Sequence, residues 1–238
     1  MQLKHPFFLF TGGLLFISFF ILLIVFPVGG NIDLYLIQPW VSLHGTFPYK
    51  DNWFLDKLNH SYVKQLLIAV YIIFCALWCA SFKVEKFKAK RWEYGYMFWV
   101  SILCTALIGL FKSHSAHACP WYMTHETATG FIWDFSATAG HCFPGGHAST
   151  GFALVTGYFV YRLNHTQRAW FYLFAGTVIG FAMGWAQMMR GAHFLSHNLW
   201  TLWMCLAINF IVYIFTYKHH QRFAARNAVP QIQPDMVK

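Results

Sequence analysis

Six apolar segments constrain this chain more than any other feature of its sequence. They cover residues 7–28, 65–82, 95–111, 148–163, 170–189 and 199–217. A helix that crosses a bilayer needs roughly 20 apolar residues. Only 11% of the residues are charged, whereas a soluble domain carries about 25%. We therefore predict an all-α fold, a bundle of six transmembrane helices that forms a single domain over residues 1–238.

The distribution of positive charge predicts how this bundle is oriented. Of the 17 Lys and Arg residues, 12 lie at the chain ends or in loops that six spans place on the side of the N-terminus. These are Lys4, Lys83, Lys86, Lys88, Lys90, Arg91, Arg162, Arg168, Lys218, Arg222, Arg226 and Lys238. By the positive-inside rule, both termini are cytoplasmic. The net charge of +9 then reflects topology and attraction to lipid head groups, and we expect no nucleic-acid partner.

This topology places three polar clusters on the same outer face. The clusters are Lys112–Trp121, Cys142–Thr150 and Arg190–Asn198. They are far apart in the sequence, so we predict that they form one site at one membrane surface.

The residue types in these clusters suit phosphoryl transfer. Gly145 and Gly146 stand where the fourth span begins, and backbone N–H groups at a helix start bind anions well. His147 follows them directly, and His193 lies in the third cluster. Of two such histidines, one can attack phosphorus and the other can protonate the leaving oxygen. Two cations, Lys112 and Arg190, end the third and fifth spans, and an arginine can bind two phosphate oxygens at once.

Two cysteines flank the middle of the second outer loop, which covers about residues 112–147. Cys119 and Cys142 would face an oxidising compartment in this topology, where disulfides persist. We predict a disulfide between them.

The three clusters resemble the motifs of the type 2 phosphatidic acid phosphatase family of membrane lipid phosphatases. The family pattern is Lys-x6-Arg-Pro, then Pro-Ser-Gly-His, then Ser-Arg-x5-His-x3-Asp. Here the elements are Lys112-x6-Cys119-Pro120, Pro144-Gly145-Gly146-His147 and the segment Arg190–Asn198. The resemblance covers about residues 95–217 and agrees with the six-span layout.

Three departures from the pattern affect the phosphate ligands. Cys119 replaces the first arginine and Gly145 replaces the serine. Gln187 stands where the family has its second arginine, and Arg190 follows three residues later on much the same helix face. We expect Arg190 to reach the same phosphate.

A fourth departure affects the residue that orients the nucleophile. The family aspartate falls at His197, with Asn198 next to it, and neither is a carboxylate. In a serine protease triad, a comparable Asp→Asn change lowers kcat by about 10⁴. Glu126 or Asp134, in the second outer loop, are the candidates to supply the missing charge.

The resemblance implies a phosphatase that uses neither a metal nor a cofactor and acts through a phosphohistidine. His193 is the expected nucleophile, and His147 the acid that protonates the leaving group and then activates water. The phosphoryl oxygens would be held by Lys112, Arg190 and the amides of Gly145 and Gly146. The expected substrate is a lipid phosphate or pyrophosphate at the periplasmic face of a bacterial inner membrane. Candidates are undecaprenyl pyrophosphate, phosphatidic acid, phosphatidylglycerol phosphate and lipid A.

Two other functions remain open at this level. The spacings His114-x2-His117 and His193-x3-His197 would suit a metal-dependent membrane hydrolase. A catalytically weak or inactive member that binds lipid phosphate is the second alternative. The sequence leaves the oligomeric state undetermined.

Overall fold

Long helices make up most of this protein in a computed structural model, which describes residues 5–138 and 140–228, without the side chains of 58–60 and 226–228. The α-helices are α1 (Pro6–Ile24), α2 (Asn31–Ile37), α3 (Lys64–Ala80), α4 (Glu85–Lys88), α5 (Arg91–Ser113), α6 (Gly146–Phe152), α7 (Thr156–Tyr161), α8 (Thr166–Met189) and α9 (Leu195–Ala228). A π-helix (Phe54–Val63) leads into α3, and 3-10 turns form at Gln38–Trp40, Pro120–Tyr122 and Ala153–Val155. Lys4 and Lys238, which contribute to the predicted charge asymmetry, lie outside the described residues, and Arg226 is described by its backbone alone.

Five helices in the described part of the chain are long and apolar enough to cross a membrane. They are α1, the continuous helix Phe54–Ala80, α5, α8 and the Leu195–Ala225 part of α9. These helices correspond to five of the six predicted spans. Most extend beyond the apolar segment that predicted them, because polar residues continue the helix after the hydrophobic stretch ends.

The fourth predicted span, residues 148–163, is not one long helix. It consists of α6, a 3-10 turn and α7, which together cover Gly146–Tyr161. At 1.5 Å per residue this is about 24 Å, less than the hydrocarbon core of a bilayer. The segment lies between α5, α8 and α9, and Phe152 and Val155 are completely buried. Protein rather than lipid surrounds it, so it does not require an unbroken apolar surface.

Glycines that recur every four residues on α8, at positions 176, 180 and 184, allow this broken helix to pack closely against α8. A Cβ at Gly176 would lie 2.9 Å from the backbone nitrogen of Val155, and one at Gly180 would overlap the Phe152 ring. A Cβ at Gly157 would overlap the side chain of Tyr172 on α8. Residue numbers rise along one segment as they fall along the other, so the broken helix runs antiparallel to α8 through the bundle.

The N-terminal end of α1 and the C-terminal half of α9 lie at the same end of the bundle. Phe8 packs against Tyr217 with ring centroids 4.9 Å apart, and Phe19 packs against Trp203 at 5.3 Å. α1 therefore runs antiparallel to α9, and the start of α1 is beside the C-terminal half of α9.

A short hairpin in the second outer loop corrects the all-α prediction. Strands β1 (Thr124–Thr127) and β2 (Gly130–Trp133) are antiparallel, with Thr124 opposite Trp133. Gly130 has a φ of +148°, which a glycine adopts without steric cost. The Thr124 hydroxyl donates to the carbonyl of Gly45 at 2.7 Å, which ties the hairpin to the first outer loop of the predicted topology, roughly residues 29–64. Long apolar segments dominate the sequence signal, and four-residue strands do not stand out beside them.

Candidate active site

Two buried histidines, one just before α9 and one in its first turn, form the centre of the site. The Nδ1 atoms of His193 and His197 are 3.2 Å apart, and the two residues are 2% and 0% exposed. One ring must donate its N–H to the lone pair of the other at this distance. The three residues between His193 and His197 thus place His197 where it can orient the His193 ring.

The turn between α8 and α9 holds His193 in position. Gly191 has a φ of +79°, a conformation that ends many helices at a glycine. Its amide donates to the Met188 carbonyl at 2.9 Å, and the amide of Ala192 donates to Gln187 at 2.9 Å.

A carboxylate from the first outer loop caps the N-terminus of α9. The Ser196 amide donates to Oδ1 of Asp33 at 2.9 Å, and the Ser196 hydroxyl donates to Oδ2. A negative charge is favourable at a helix N-terminus. Burial nevertheless raises the pKa of Asp33, opposed by its hydrogen bonds with Ser196 and Gly29. The cap fixes the first turn of α9 and therefore the spacing of the histidine pair.

His147 and Lys112 reach the same place from two other elements. The ring centroids of His147 and His193 are 6.4 Å apart. A Cβ at Gly146 would lie 3.0 Å from Cδ and 3.8 Å from Nζ of Lys112. The structure therefore brings together four of the predicted site residues, Lys112, Gly146, His147 and His193.

The surroundings of His193 favour its neutral form. Burial lowers the pKa of His193 well below its usual range, and the Lys112 ammonium and the other two imidazoles act in the same direction. The backbone carbonyl of Cys142 opposes this effect. A neutral imidazole has the lone pair that an attack on phosphorus requires.

Arg190 is bound by protein groups, unlike the free phosphate ligand that we predicted. Its Nε donates to the Lys50 carbonyl at 2.7 Å and its Nη1 to Oε1 of Gln187 at 3.3 Å. Its Nη2 lies 2.8 Å from Oδ1 of Asp56. Three of its five N–H donors are thus used to hold the first outer loop against the end of α8.

The amide of Gly145 is also engaged, which corrects its predicted role. It donates to the carbonyl of His197 at 3.2 Å, and the Thr201 hydroxyl donates to the Gly145 carbonyl at 3.3 Å. Gly145 therefore joins the start of α6 to α9, and the phosphate-binding role of the Gly146 amide stays a prediction.

Asn198 packs between helices and does not orient His193. Its amide nitrogen donates to the Phe194 carbonyl at 3.3 Å. A Cβ at Gly145 would lie 2.6 Å from Oδ1 of Asn198, and one at Gly184 would be equally close to it. The Asn198 side chain therefore fills the space that a serine at position 145 would need, which links these two departures from the family pattern.

The predicted disulfide is present between Cys119 and Cys142, whose Cα atoms are 5.0 Å apart. The Cys142 amide donates to the His117 carbonyl at 2.8 Å, and the Trp121 amide donates to Gly191 at 2.9 Å. The second outer loop is thus tied to the turn that carries His193.

Neither acidic residue proposed from the second outer loop reaches the histidine pair. Glu126 lies 2.7 Å from His44 and Asp134 lies 3.3 Å from His125, and these contacts are exposed. The acidic residues that support the site are instead Asp33 and Asp56, which the sequence analysis missed. The chain has only eight acidic residues. This scarcity is the feature of the sequence that could have pointed to Asp33 and Asp56.

The histidine spacings that suggested a metal do not converge. The His114 imidazole interacts with the Leu110 carbonyl at 3.0 Å, and His117 packs on Phe143. Among the side chains that the structure describes, no three from His, Cys, Asp or Glu form a group that could hold a metal ion.

Comparison with protein-family models gives a match. A family model described as the PAP2 superfamily matches residues 92–221, which include every predicted site residue. No curated protein and no solved structure matches the chain significantly.

Proposed function

Because this chain belongs to the PAP2 superfamily, we propose that it is a membrane phosphatase that hydrolyses a lipid phosphate or pyrophosphate through a phosphohistidine. Family membership implies phosphatase activity on phosphate esters. The lipid substrate is supported by the five long apolar helices. The observation that carries the proposal is the buried pair of His193 and His197, 3.2 Å apart, with His147 and Lys112 beside it.

In the first step, Nε2 of His193 attacks phosphorus. An N–P bond forms as the bond from phosphorus to the leaving oxygen breaks, and His147 gives its proton to that oxygen. For Nε2 to have a free lone pair, the proton of neutral His193 must be on Nδ1, from where it is donated to Nδ1 of His197. His197 is therefore a positioning residue that sets the tautomer.

Lys112 and the start of α6 stabilise the charge on the phosphoryl group. The Lys112 side chain lies against Gly146, so its ammonium and the Gly146 amide approach the same region. Cations and backbone N–H groups that are held in place stabilise the transition state without reorganisation. Arg190 contributes by anchoring the first outer loop through Asp56 and Lys50.

In the second step, water replaces His193 on phosphorus. His147, now neutral, takes a proton from the water, a new P–O bond forms and the N–P bond breaks. This releases phosphate, returns His193 to its neutral form and leaves His147 protonated for the next cycle.

The substrate would enter from the bilayer at the predicted periplasmic face of a bacterial inner membrane. Undecaprenyl pyrophosphate, phosphatidic acid, phosphatidylglycerol phosphate and lipid A phosphates all present a phosphate next to long chains. The proposed reaction uses no metal ion or cofactor.

A second candidate is a family member that binds lipid phosphate and turns it over weakly. It is favoured by two observations, the imidazole of His197 at the family's carboxylate position and the engagement of Arg190 by Asp56. Both reduce the charge available for catalysis.

Phosphate release from a panel of lipid phosphates in EDTA tests the proposal. We expect purified protein to release phosphate, and His193→Ala to lower the rate at least about a thousandfold, since it removes the nucleophile. His114→Ala, which changes an exposed histidine, is the matched control and should keep full activity. Turnover that persists in His193→Ala would refute the mechanism. Saturable lipid binding without release would favour the second candidate.

A further inference from the structure

A groove at the opposite end of the bundle has no part in the proposed reaction. It has a volume of about 710 Å³ and lies between the start of α5 and the C-terminal half of α9. Ligand sites in proteins have volumes of roughly 300–1,000 Å³. Arg91 begins α5 and Lys112 lies near its end, so the groove is about 30 Å from the candidate active site.

The walls of the groove are aromatic. Trp78 and Trp99 meet edge to face at 5.6 Å, and Trp92 stacks on His219 at 5.2 Å. All four residues line the groove, and Gly95 allows the Trp78 ring to lie directly on α5. Indole rings favour the zone between lipid head groups and acyl chains.

The rim of the groove is positively charged. Lys88, Arg91 and Arg222 line it, and among its described lining residues there is no Asp or Glu. Ser81 accepts hydrogen bonds from Arg91 through both its hydroxyl and its carbonyl, and so fixes the guanidinium.

The acidic residues nearest to this rim do not cancel its charge. Glu85 pairs with Lys88 at 3.2 Å, but both side chains are mostly exposed, where such pairs contribute little. Glu93 is buried, lies near Tyr161 on α7 and does not line the groove.

We propose that this groove binds the head group and upper acyl chains of an anionic phospholipid. The cations match a phosphodiester, the indoles match the glycerol and upper chain region, and the predicted topology places the groove in the cytoplasmic leaflet. Basic residues at that surface attract anionic lipids through their charge. The bound lipid is structural and is not a substrate.

Native mass spectrometry of the full-length protein, with phosphatidylglycerol and phosphatidylcholine of identical chains, tests this inference. We expect tighter binding of phosphatidylglycerol, and about tenfold weaker binding in Lys88→Gln/Arg222→Gln, which removes two rim charges. Lys83→Gln/Lys86→Gln removes the same charge from exposed residues outside the groove and should bind like the wild type. Val212→Trp, which fills the groove without a change in charge, should also weaken binding.

Three results would overturn the inference. Equal affinity for the two lipids would show that the groove does not recognise the charge of the head group. Equal losses of phosphatidylglycerol binding in the two double variants would show that the lipid is attracted to the whole basic surface. A loss of phosphatidylglycerol binding in Lys112→Gln, with none in Lys88→Gln/Arg222→Gln, would place the lipid at the candidate active site. None of these readouts requires enzymatic activity, so they stand apart from the test of the proposed function.

Discussion

At the scale of single residues, the proposed mechanism makes His197 the residue that sets how strong a nucleophile His193 is. A carboxylate would stabilise the positive charge that develops on His193 during attack, because hydrogen bonds to charged groups are about twice as strong as neutral ones. A neutral imidazole sets the tautomer but supplies less of this stabilisation.

We therefore expect His197→Asp to raise kcat about tenfold and His197→Leu to lower it about a hundredfold. The Oδ1 of an aspartate falls close to the place of the present Nδ1, so the 3.2 Å contact is kept. Steady-state kinetics on a lipid phosphate measures both, with KM expected to change little. Unchanged kcat in His197→Leu would contradict the orienting role.

The lowered pKa of His193 predicts the acid limb of the pH profile. Protonated His193 cannot attack, so activity is lost only as pH falls through its pKa, which lies well below 6.5 because of burial and the nearby cations. We expect kcat/KM to persist at pH 6 and to fall at a lower pH. Lys112→Gln should shift the limb upward, because it removes a charge that disfavours the imidazolium. An acid limb at or above pH 6.5 in the wild type would show that His193 is not in this environment.

At the scale of elements, the contact of the broken helix with α8 is the tightest backbone approach that the site depends on. A Cβ at Gly151 would lie 2.7 Å from the backbone nitrogen of Gly180, which cannot move aside. α6 carries His147 at its start, so a shift of this helix also moves the proposed general acid.

We expect Gly151→Ala to destabilise the protein by about 1–3 kcal/mol, the usual effect of overpacking. Gly109→Ala is a matched control on α5, where a Cβ meets nothing within 4 Å, and it should stabilise slightly because alanine favours helix. Thermal unfolding in detergent compares the two. Equal melting temperatures of the two variants would show that α6 and α8 can move apart without loss of stability.

At the scale of the whole molecule, the two outer loops close over one end of the bundle. Asp33 caps α9, Asp56 holds Arg190, and the disulfide-linked second loop is joined to Gly191. The basic groove lies at the other end, beside the start of α5. The orientation of these two ends in a membrane stays a prediction.

A C-terminal reporter tests that orientation. α1 and α9 are antiparallel, and six passes through the bilayer would place both termini in the cytoplasm. We expect a C-terminal alkaline phosphatase fusion to be inactive and a green fluorescent protein fusion to fluoresce. An active phosphatase fusion would reverse the topology and move the site to the cytoplasmic face.

The sequence by itself determined five helices that are long and apolar enough to cross a membrane, the disulfide and the proximity of Lys112, His147 and His193. These follow from local hydrophobicity and from the motif spacings, which are properties of short segments. Only the tertiary structure decided that Arg190 binds Asp56, that the Gly145 amide binds His197 and that Asn198 fills a gap between helices. These contacts join residues that are distant in sequence, and their partners depend on how the loops and helices pack in three dimensions.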